Sequence, residues 1–276
     1  MLTTPAYVST FGFNAEPFSK EIDDAELWLP SSKQELVTDL CDALQSRASV
    51  LLVGDPGVGK TCVLRALRHR LPQQGFRLTY CHNATLGRRD FYRQLCVALG
   101  VSPSASAAGV FYSVSSHVQD LARERLHPVF LLDEAHLLHQ DTLDHLHILL
   151  NYEWDQRALL SLVLVGLPEL KDRLDLRRNR SLYSRVHHRF TIAASSPEDT
   201  AEYVRFRLKR AGVERELVTD DALAMLHEAA TGSLRNIDRL ATAALRDAAR
   251  RKKKLVERDC LARAIDADTD TEHTGV

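Results

Sequence analysis

Apolar runs of strand length alternate with longer amphipathic segments along the first two thirds of the chain. Five runs rich in β-branched residues predict strands, at residues 49–53, 77–81, 128–132, 160–165 and 189–193. Between them, apolar residues recur with the 3.6-residue period of a helix, at residues 63–70, 89–99, 118–125 and 141–152. Strands that alternate with helices predict an α/β fold, in which helices cover both faces of a parallel sheet.

The pattern changes after Ser195, where the strands stop and helical periodicity continues. Four more helices are predicted there, at residues 197–211, 219–230, 233–254 and 257–265. Ser196 and Thr219 are typical N-caps, and Gly212 and Gly232 are typical helix terminators. These features predict four regions: a lead-in with an amphipathic helix at 1–46, an α/β core at 47–194, a small helical domain at 195–268, and a polar, frayed tail at 269–276.

Composition narrows the possible environments of the protein. The chain has 276 residues, and its 36 Lys and Arg nearly balance its 37 Asp and Glu, so any polyanion must bind to a local basic patch. No apolar stretch approaches the roughly 20 residues of a membrane helix, and this predicts a cytoplasmic protein.

The five cysteines are scattered and are expected to be reduced. Four nearby histidines are expected to be solvated or capping groups rather than zinc ligands, namely His136, His139, His145 and His147.

A glycine-rich motif lies between the first predicted strand and the next helix. Residues 54–61 match the phosphate-loop pattern Gly-x4-Gly-Lys-Thr. In such a loop, backbone N–H groups and a helix N-terminus bind phosphates. Lys60 is expected to reach the β- and γ-phosphates of ATP, and Thr61 to bind Mg²⁺. The predicted nucleotide-binding residues are Gly54, Asp55, Pro56, Gly57, Val58, Gly59, Lys60, Thr61 and Cys62.

Two adjacent carboxylates follow the third predicted strand, at Asp133 and Glu134. Asp133 is expected to hold the magnesium ion, and Glu134 to act as general base on the attacking water. A solvated strand end is the alternative, which the upstream phosphate loop disfavours. His136 has no clear chemical role in the sequence and is expected to pack or hydrogen-bond near the site.

Charge that develops on the γ-phosphate calls for an additional arginine. Candidates are the arginine-rich segment 177–189 before the fifth predicted strand and Arg235 at the start of a later helix. A solvated, charged face is the alternative explanation for each, and Arg235 has the tighter local pattern.

These motifs together resemble an AAA+ ATPase over about residues 10–265. Within that superfamily the chain is similar to the ExeA-like group in four segments, at residues 11–18, 150–153, 163–170 and 231–237. The resemblance implies a three-layer αβα core with sheet order 5-1-4-3-2, a helical lid, and ATP and Mg²⁺ as ligands. It also implies that Asn83 is the glutamate-switch residue, Arg185 a finger acting on a neighbouring subunit, and Arg235 the second sensor.

One position departs from the family pattern. The family usually has a polar residue after the Val-Gly of the fourth strand, where the first sensor contacts the γ-phosphate, whereas this chain has Leu167. Hydrolysis is therefore expected to be slow, or to be stimulated by a partner.

The resemblance also suggests DNA contacts. The ExeA-like group includes a secretion-associated ATPase and resembles TniB, TnsC, MuB and IstB, the helpers of DDE transposases. In those helpers a basic segment after the second strand follows DNA phosphates. The matching residues here are Arg88, Arg89 and Arg93, to which Ser104 could add a hydroxyl. An ordinary charged helix face is the alternative, and for the basic run 250–254 DNA contact and helix capping are equally favoured.

The secretion ATPase of this group has a membrane helix and a peptidoglycan-binding region, which are not found in these 276 residues. The sequence therefore predicts a homo-oligomer, either a ring or a helical filament. It would coat double-stranded DNA without sequence preference and recruit a DDE transposase, possibly with a target-selector protein. A secretion-associated ATPase and a switch that binds only protein are the alternatives.

Overall fold

The computed structural model describes residues 5–81, 85–102, 106–152 and 156–273. Its residues form two compact units. The first, here called the helical unit, contains the chain up to Pro30, residues 56–59 and the chain from Ala193 onward. The second, here called the α/β unit, contains residues 31–55 and 60–192.

A five-stranded parallel sheet forms the centre of the α/β unit. Its strands are β1 (Ser49–Gly54), β2 (Phe76–Cys81), β3 (His127–Leu132), β4 (Ser161–Gly166) and β5 (Val186–Ile192). Their order is β2-β3-β4-β1-β5, which confirms the predicted order 5-1-4-3-2. Every residue of β1, β3 and β4 is buried, as expected for parallel strands covered on both faces.

Helices pack around this sheet. In the α/β unit they are α2 (Ser31–Gln45), α3 (Lys60–Arg70), α4 (Arg88–Leu99), α5 (Ala107–Arg123), α6 (Gln140–Leu149), α7 (Glu169–Asp175) and α8 (Arg180–Tyr183). Phe130 and Leu132 of β3 share one buried apolar cluster with Leu95 of α4 and Val114 of α5. This cluster fixes the strand ends that carry the candidate site.

Helix α5 begins at Ala107, although the periodicity predicted its start at 118. The Ser106 side chain caps the helix by accepting a hydrogen bond from the Gly109 N–H at 3.0 Å. Val110 and Val114 extend the buried stripe of the helix by two turns. Glycine and serine residues made these turns resemble a loop in the sequence.

Strand β5 begins at Val186, three residues before the predicted start. His187, His188 and Arg189 belong to the strand but are exposed. β5 lies at the edge of the sheet, where charged side chains discourage pairing with another chain. Because these first residues are polar, the apolar pattern of the sequence did not indicate that the strand begins at Val186.

His127 joins two strands at the start of β3. Its Nε2 lies 2.9 Å from the Ser161 Oγ at the start of β4, and both residues are buried. Burial, with a smaller contribution from Arg47, lowers the pKa of His127 to about 4.

We expect this histidine to cost about 3 kcal/mol of stability as the pH falls from 6.5 to 4. The pKa of His127 is 6.5 in the unfolded chain and about 4 in the folded protein. Above pH 6.5 both states are neutral at this residue and stability is unaffected. Between pH 6.5 and 4 the unfolded chain binds the proton more readily, so the free energy of unfolding falls. His127→Gln can retain an amide near Ser161 but does not titrate. Urea unfolding at pH 7, 5.5 and 4 should show a smaller decline for this variant, with exposed His139→Gln as the control. Equal declines in all three proteins would contradict the assignment.

The helical unit contains α1 (Ala6–Phe11), α9 (Pro197–Arg210), α10 (Asp220–Ala230), α11 (Leu234–Arg250) and α12 (Arg258–His273). Both predicted N-caps are confirmed. Ser196 forms a capping box with Asp199, and the Thr219 side chain accepts a hydrogen bond from the Ala222 N–H. Helix α12 continues to His273, within the segment 269–276 that was predicted as a tail.

The N-terminal segment packs within the helical unit. Phe11, Phe13, Phe18 and Trp28 belong to the same buried cluster as the apolar residues of α9 to α12. The predicted lead-in at 1–46 therefore divides at Pro30, because α2 belongs to the α/β unit. Among the described helices, none combines the length and the hydrophobicity that crossing a membrane requires.

Candidate nucleotide site

The glycine-rich loop connects β1 to α3 within five residues. Gly57 and Gly59 have φ angles of +82° and +101°, a conformation that glycine adopts without steric cost. The turn brings the N-terminus of α3 to the carboxyl end of the sheet. A helix N-terminus presents unpaired N–H groups and a partial positive charge, both of which suit a phosphate.

Lys60, the first residue of α3, folds its side chain back over the start of the loop. Its Nζ donates hydrogen bonds to the Gly54 carbonyl oxygen at 2.7 Å and to the Asp55 carbonyl oxygen at 3.0 Å. Thr61 is exposed, and the following Cys62 is half-buried. The loop therefore places an ammonium group and a hydroxyl at the end of β1.

Residues 56–59 make their contacts within the helical unit. The Leu234 N–H donates to the Gly57 carbonyl oxygen at 3.0 Å, and the Ser233 Oγ donates to the Pro56 carbonyl oxygen at 3.5 Å. A Cβ added to Gly57 would clash with the Ser233 Oγ and lie 3.0 Å from the Cβ of Arg235. Glycine is thus required at position 57 both by its φ angle and by this close approach.

Asp133 and Glu134 follow β3. The Asp133 Oδ2 accepts a hydrogen bond from the Tyr80 hydroxyl at 2.9 Å, and its Oδ1 accepts one from the Glu134 N–H at 2.9 Å. Burial and the bond to Asp133 raise the pKa of Tyr80, so the hydroxyl stays protonated, and donates to Asp133, to a higher pH than that of a free tyrosine. Glu134 has a φ angle of +51° and a side chain that is 50% exposed. Non-glycine residues in this strained conformation are often functional.

His136 lies beside Glu134, in a short 3₁₀ turn at Ala135–Leu137. Its Nδ1 is 3.5 Å from the Glu134 Oε2 and also 3.5 Å from the backbone nitrogen of Leu167. The carbonyl oxygen of His136 accepts a hydrogen bond from the Arg173 Nη1 at 2.9 Å. These contacts confirm the expectation that His136 hydrogen-bonds near the site, although only the fold shows that its partner is the end of β4.

The candidate groups of the α/β unit share one edge of the sheet. Because β1, β3 and β4 are parallel, their carboxyl ends lie at the same edge, with β4 between the other two. Gly54 ends β1, Leu132 ends β3 and Gly166 ends β4. The topology thus places Lys60, the Asp133–Glu134 pair and Leu167 at the position where ligands bind in open α/β sheets.

The donor groups at this edge suit magnesium. Thr61 offers a hydroxyl oxygen and Asp133 a carboxylate, and Mg²⁺ is bound by one or two such oxygens together with substrate phosphates and water. Over the described ranges, no three His, Cys, Asp or Glu residues gather into another metal site. The histidines have other partners, since the His139 Nε2 lies 2.9 Å from the Thr85 carbonyl oxygen and the His145 Nδ1 lies 3.1 Å from the Tyr92 hydroxyl.

The sequence is similar to a known protein family and to a known relative. Residues 41–174 match the family model described as an AAA domain. This part of the chain is an AAA-family domain. The chain is also 33% identical, over 257 residues, to the General secretion pathway protein A of Aeromonas hydrophila. The match covers 92% of this chain but only 47% of that relative, so the chain spans about half of the relative's length.

Several solved structures share the fold of most of this chain. The structure of Drosophila ORC bound to DNA matches with a TM-score of 0.68 and 20% identity, covering 95% of this chain and 66% of that one. The Aeropyrum pernix ORC1 protein in complex with DNA matches with a TM-score of 0.62 and 21% identity, covering 86% and 65% of the two chains. At these identities the likeness shows the fold alone.

The two arginines predicted to act on the γ-phosphate lie in different units. Arg185 directly precedes β5 of the α/β unit, and its Nη1 donates to the Ser181 carbonyl oxygen at 3.2 Å. Arg235 is exposed in the first turn of α11. The roles of both residues stay predictions. Asn83, the predicted glutamate switch, and Ser104, a predicted DNA contact, lie outside the described residues.

The three predicted DNA-binding arginines lie on α4 of the AAA domain. Arg88 and Arg89 occupy its first turn and Arg93 lies one turn further on, and all three are exposed. The N-cap, Gly87, makes no side-chain capping bond. Positive charge is unfavourable at a helix N-terminus, so these residues raise the positive potential of a surface that already attracts anions.

The basic run 250–254 is largely paired within the helical unit. Asp247 lies 3.6 Å from Arg250 and 3.3 Å from Arg251. The Nζ of Lys253 donates to Glu257 and Asp259, each at 2.8 Å. These ion pairs give three of the five cations partners within the fold, and contact of the run with DNA stays a prediction.

Proposed function

We propose that the protein hydrolyses ATP and uses the nucleotide to control its assembly on a partner. The observation that carries the proposal is the placement of the phosphate loop, Lys60 and the Asp133–Glu134 pair at one edge of a parallel sheet. Loop N–H groups and Lys60 would bind the phosphates. Thr61 and Asp133 would hold Mg²⁺, which neutralises negative charge on the phosphate oxygens.

Glu134 would act as the general base. Its carboxylate accepts a proton from a water molecule whose oxygen attacks the γ-phosphorus, while the bond from that phosphorus to the bridging oxygen breaks. ADP and phosphate are the products. Arg185 of an adjoining protomer and Arg235 would stabilise the charge on the transferring group, and Asn83 would orient Glu134. Release of phosphate from ATP by the purified chain, with and without duplex DNA, tests this proposal. Absence of both hydrolysis and ATP binding would refute it.

Double-stranded DNA is the partner that the charge distribution of the AAA domain supports. Arg88, Arg89 and Arg93 expose three cations along two turns of α4, although the whole chain has a net charge of −1. A single protomer with a few phosphate contacts would bind weakly, and an ATP-dependent ring or filament would multiply those contacts. In this proposal the assembled protein recruits a DDE transposase, with or without a target selector.

Replacement of Arg88, Arg89 and Arg93 by Ala should weaken DNA binding most strongly at low salt. Each lost phosphate contact makes the slope of log K against log salt less steep by about 0.9. If all three arginines contact phosphates, the slope of the variant should differ from that of the wild type by about 2.7 per protomer. Fluorescence anisotropy of a labelled duplex from 50 to 300 mM salt measures this slope, while ATP affinity should stay unchanged. The control variant replaces three exposed arginines elsewhere by Ala, namely Arg77, Arg123 and Arg215. Equal slopes in the two variants would exclude α4 as the DNA surface.

A secretion-associated role is the second candidate. It is favoured by the 33% identity to General secretion pathway protein A over 92% of this chain. In that role the ATP-controlled partner would be a protein. Absence of DNA binding with both ATP analogue and ADP would support this candidate, or a switch that binds only protein, over transposition.

A further inference from the structure

We propose that His136 is a positioning residue that controls Glu134 through one ring nitrogen shared with the end of β4. The inference rests on the proposed ATP hydrolysis. Two contacts of the Nδ1 atom carry it, one to the Glu134 Oε2 and one to the backbone nitrogen of Leu167, both at 3.5 Å. The side chain of His136 is only 15% exposed, so the protein holds the ring between these two groups.

The two contacts exclude each other as hydrogen bonds. A ring nitrogen that carries no proton accepts a hydrogen bond, and one that carries a proton donates. The backbone N–H of Leu167 can only donate, and the ionised carboxylate of Glu134 can only accept. The Nδ1 of His136 therefore bonds to the end of β4 or to Glu134, but not to both at once.

The surroundings of His136 keep the ring at this position. A Cβ at Gly166 would approach the Nδ1 and the backbone nitrogen of His136 to 3.2 Å, so glycine at the end of β4 leaves room for the ring. The carbonyl oxygen of His136 accepts a hydrogen bond from Arg173, on the helix that follows β4. The Leu167 side chain has no polar atom, so residue 167 can hydrogen-bond at the site only through its backbone.

Each of the two arrangements has a consequence for the general base. When Nδ1 accepts from Leu167, Glu134 keeps both carboxylate oxygens available for water. When Nδ1 donates to Glu134, the carboxylate is held at the histidine and one of its oxygens is no longer free to accept a proton from water. A displacement of the end of β4 relative to the 3₁₀ turn therefore changes the orientation of Glu134.

Amide isosteres test which ring nitrogen matters. The terminal amide of Asn occupies roughly the place of Nδ1, whereas that of Gln occupies the place of Nε2. We expect His136→Ala and His136→Gln to lower kcat about tenfold, with the KM for ATP within about twofold of the wild type. His136→Asn should recover most of the loss. His139→Ala, which removes a nearby histidine bonded to the Thr85 carbonyl oxygen, serves as the control.

Steady-state and single-turnover hydrolysis, with and without duplex DNA, give the readout. A wild-type kcat in the Ala and Gln variants overturns the inference and leaves the proposed function intact. Equal losses of kcat in the Ala, Gln and Asn variants, together with a lower melting temperature, would show that His136 has only a structural role. That result would also overturn the inference. A wild-type chain that neither binds nor hydrolyses ATP would instead refute the proposed function itself.

Discussion

Glu134→Gln is expected to reduce ATP hydrolysis about 10²- to 10⁴-fold, the contribution typical of a general base. Glutamine has the same shape but cannot accept the proton of the attacking water. The phosphate loop, Lys60 and Asp133 are unchanged, so ATP should bind with its wild-type affinity. Phosphate release measures the first quantity and calorimetry with ATP the second.

Glu124→Gln is the matched control for this variant, because it removes an exposed carboxylate at the end of α5. It should hydrolyse ATP at the wild-type rate. If ATP hydrolysis is required for disassembly, the Glu134 variant should also keep ATP-dependent complexes assembled for longer. A Glu134→Gln protein that no longer binds ATP would show that the two carboxylates do not divide their roles as proposed.

Arg207→Ala is expected to destabilise the helical unit by about 3–5 kcal/mol, the usual cost of breaking a buried charge network. Arg207 is only 2% exposed. Its Nε donates to the Pro17 carbonyl oxygen at 2.7 Å and its Nη2 to the Ser19 carbonyl oxygen at 2.6 Å. Asp238, 3.6 Å away, would lose its nearest cation. Burial raises the pKa of Asp238 to about 6, and Arg207 opposes that rise.

Arg205→Ala, two residues away on the same helix, gives the comparison. Arg205 pairs with Asp220 at 2.9 Å on the surface, and such pairs contribute at most about 1 kcal/mol. Urea unfolding followed by the fluorescence of Trp28 reports on the helical unit, in a Trp154→Phe background that leaves one tryptophan. Similar losses of stability in the two arginine variants would contradict a special role for Arg207.

The predicted site residues with local motifs lie where the sequence placed them in the fold. The phosphate loop and the Asp133–Glu134 pair depend on short spacings next to strands, and both lie where the α/β pattern predicted. The order of the sheet followed from the family resemblance, and the parallel pairings confirm it. The interiors of the five strands were also evident, because burial of apolar side chains gives them a recognisable pattern, whereas helix α7 and the first half of α5 were not predicted.

The features that the sequence missed depend on contacts between distant residues. The sequence placed His136 near the site, but its contact with Leu167 forms only when β4 pairs with β3 and brings together residues 31 positions apart. Arg207 lies in a helix of charged residues, and no local pattern distinguishes it from the exposed Arg205. The early start of α5 was missed for a local reason, since a serine cap and a glycine in the first turn are also typical of loops.

The order of synthesis delays the pairing of Arg207 with the N-terminal segment. Pro17 precedes Arg207 by 190 residues, which a ribosome adds in roughly 10–40 s at about 5–20 residues per second. During that interval Phe11, Phe13 and Phe18 have left the exit tunnel while the helices that bury them do not yet exist. The segment from Phe11 to Phe18 therefore exposes its apolar side chains to water for longer than segments that pack against near neighbours in the chain.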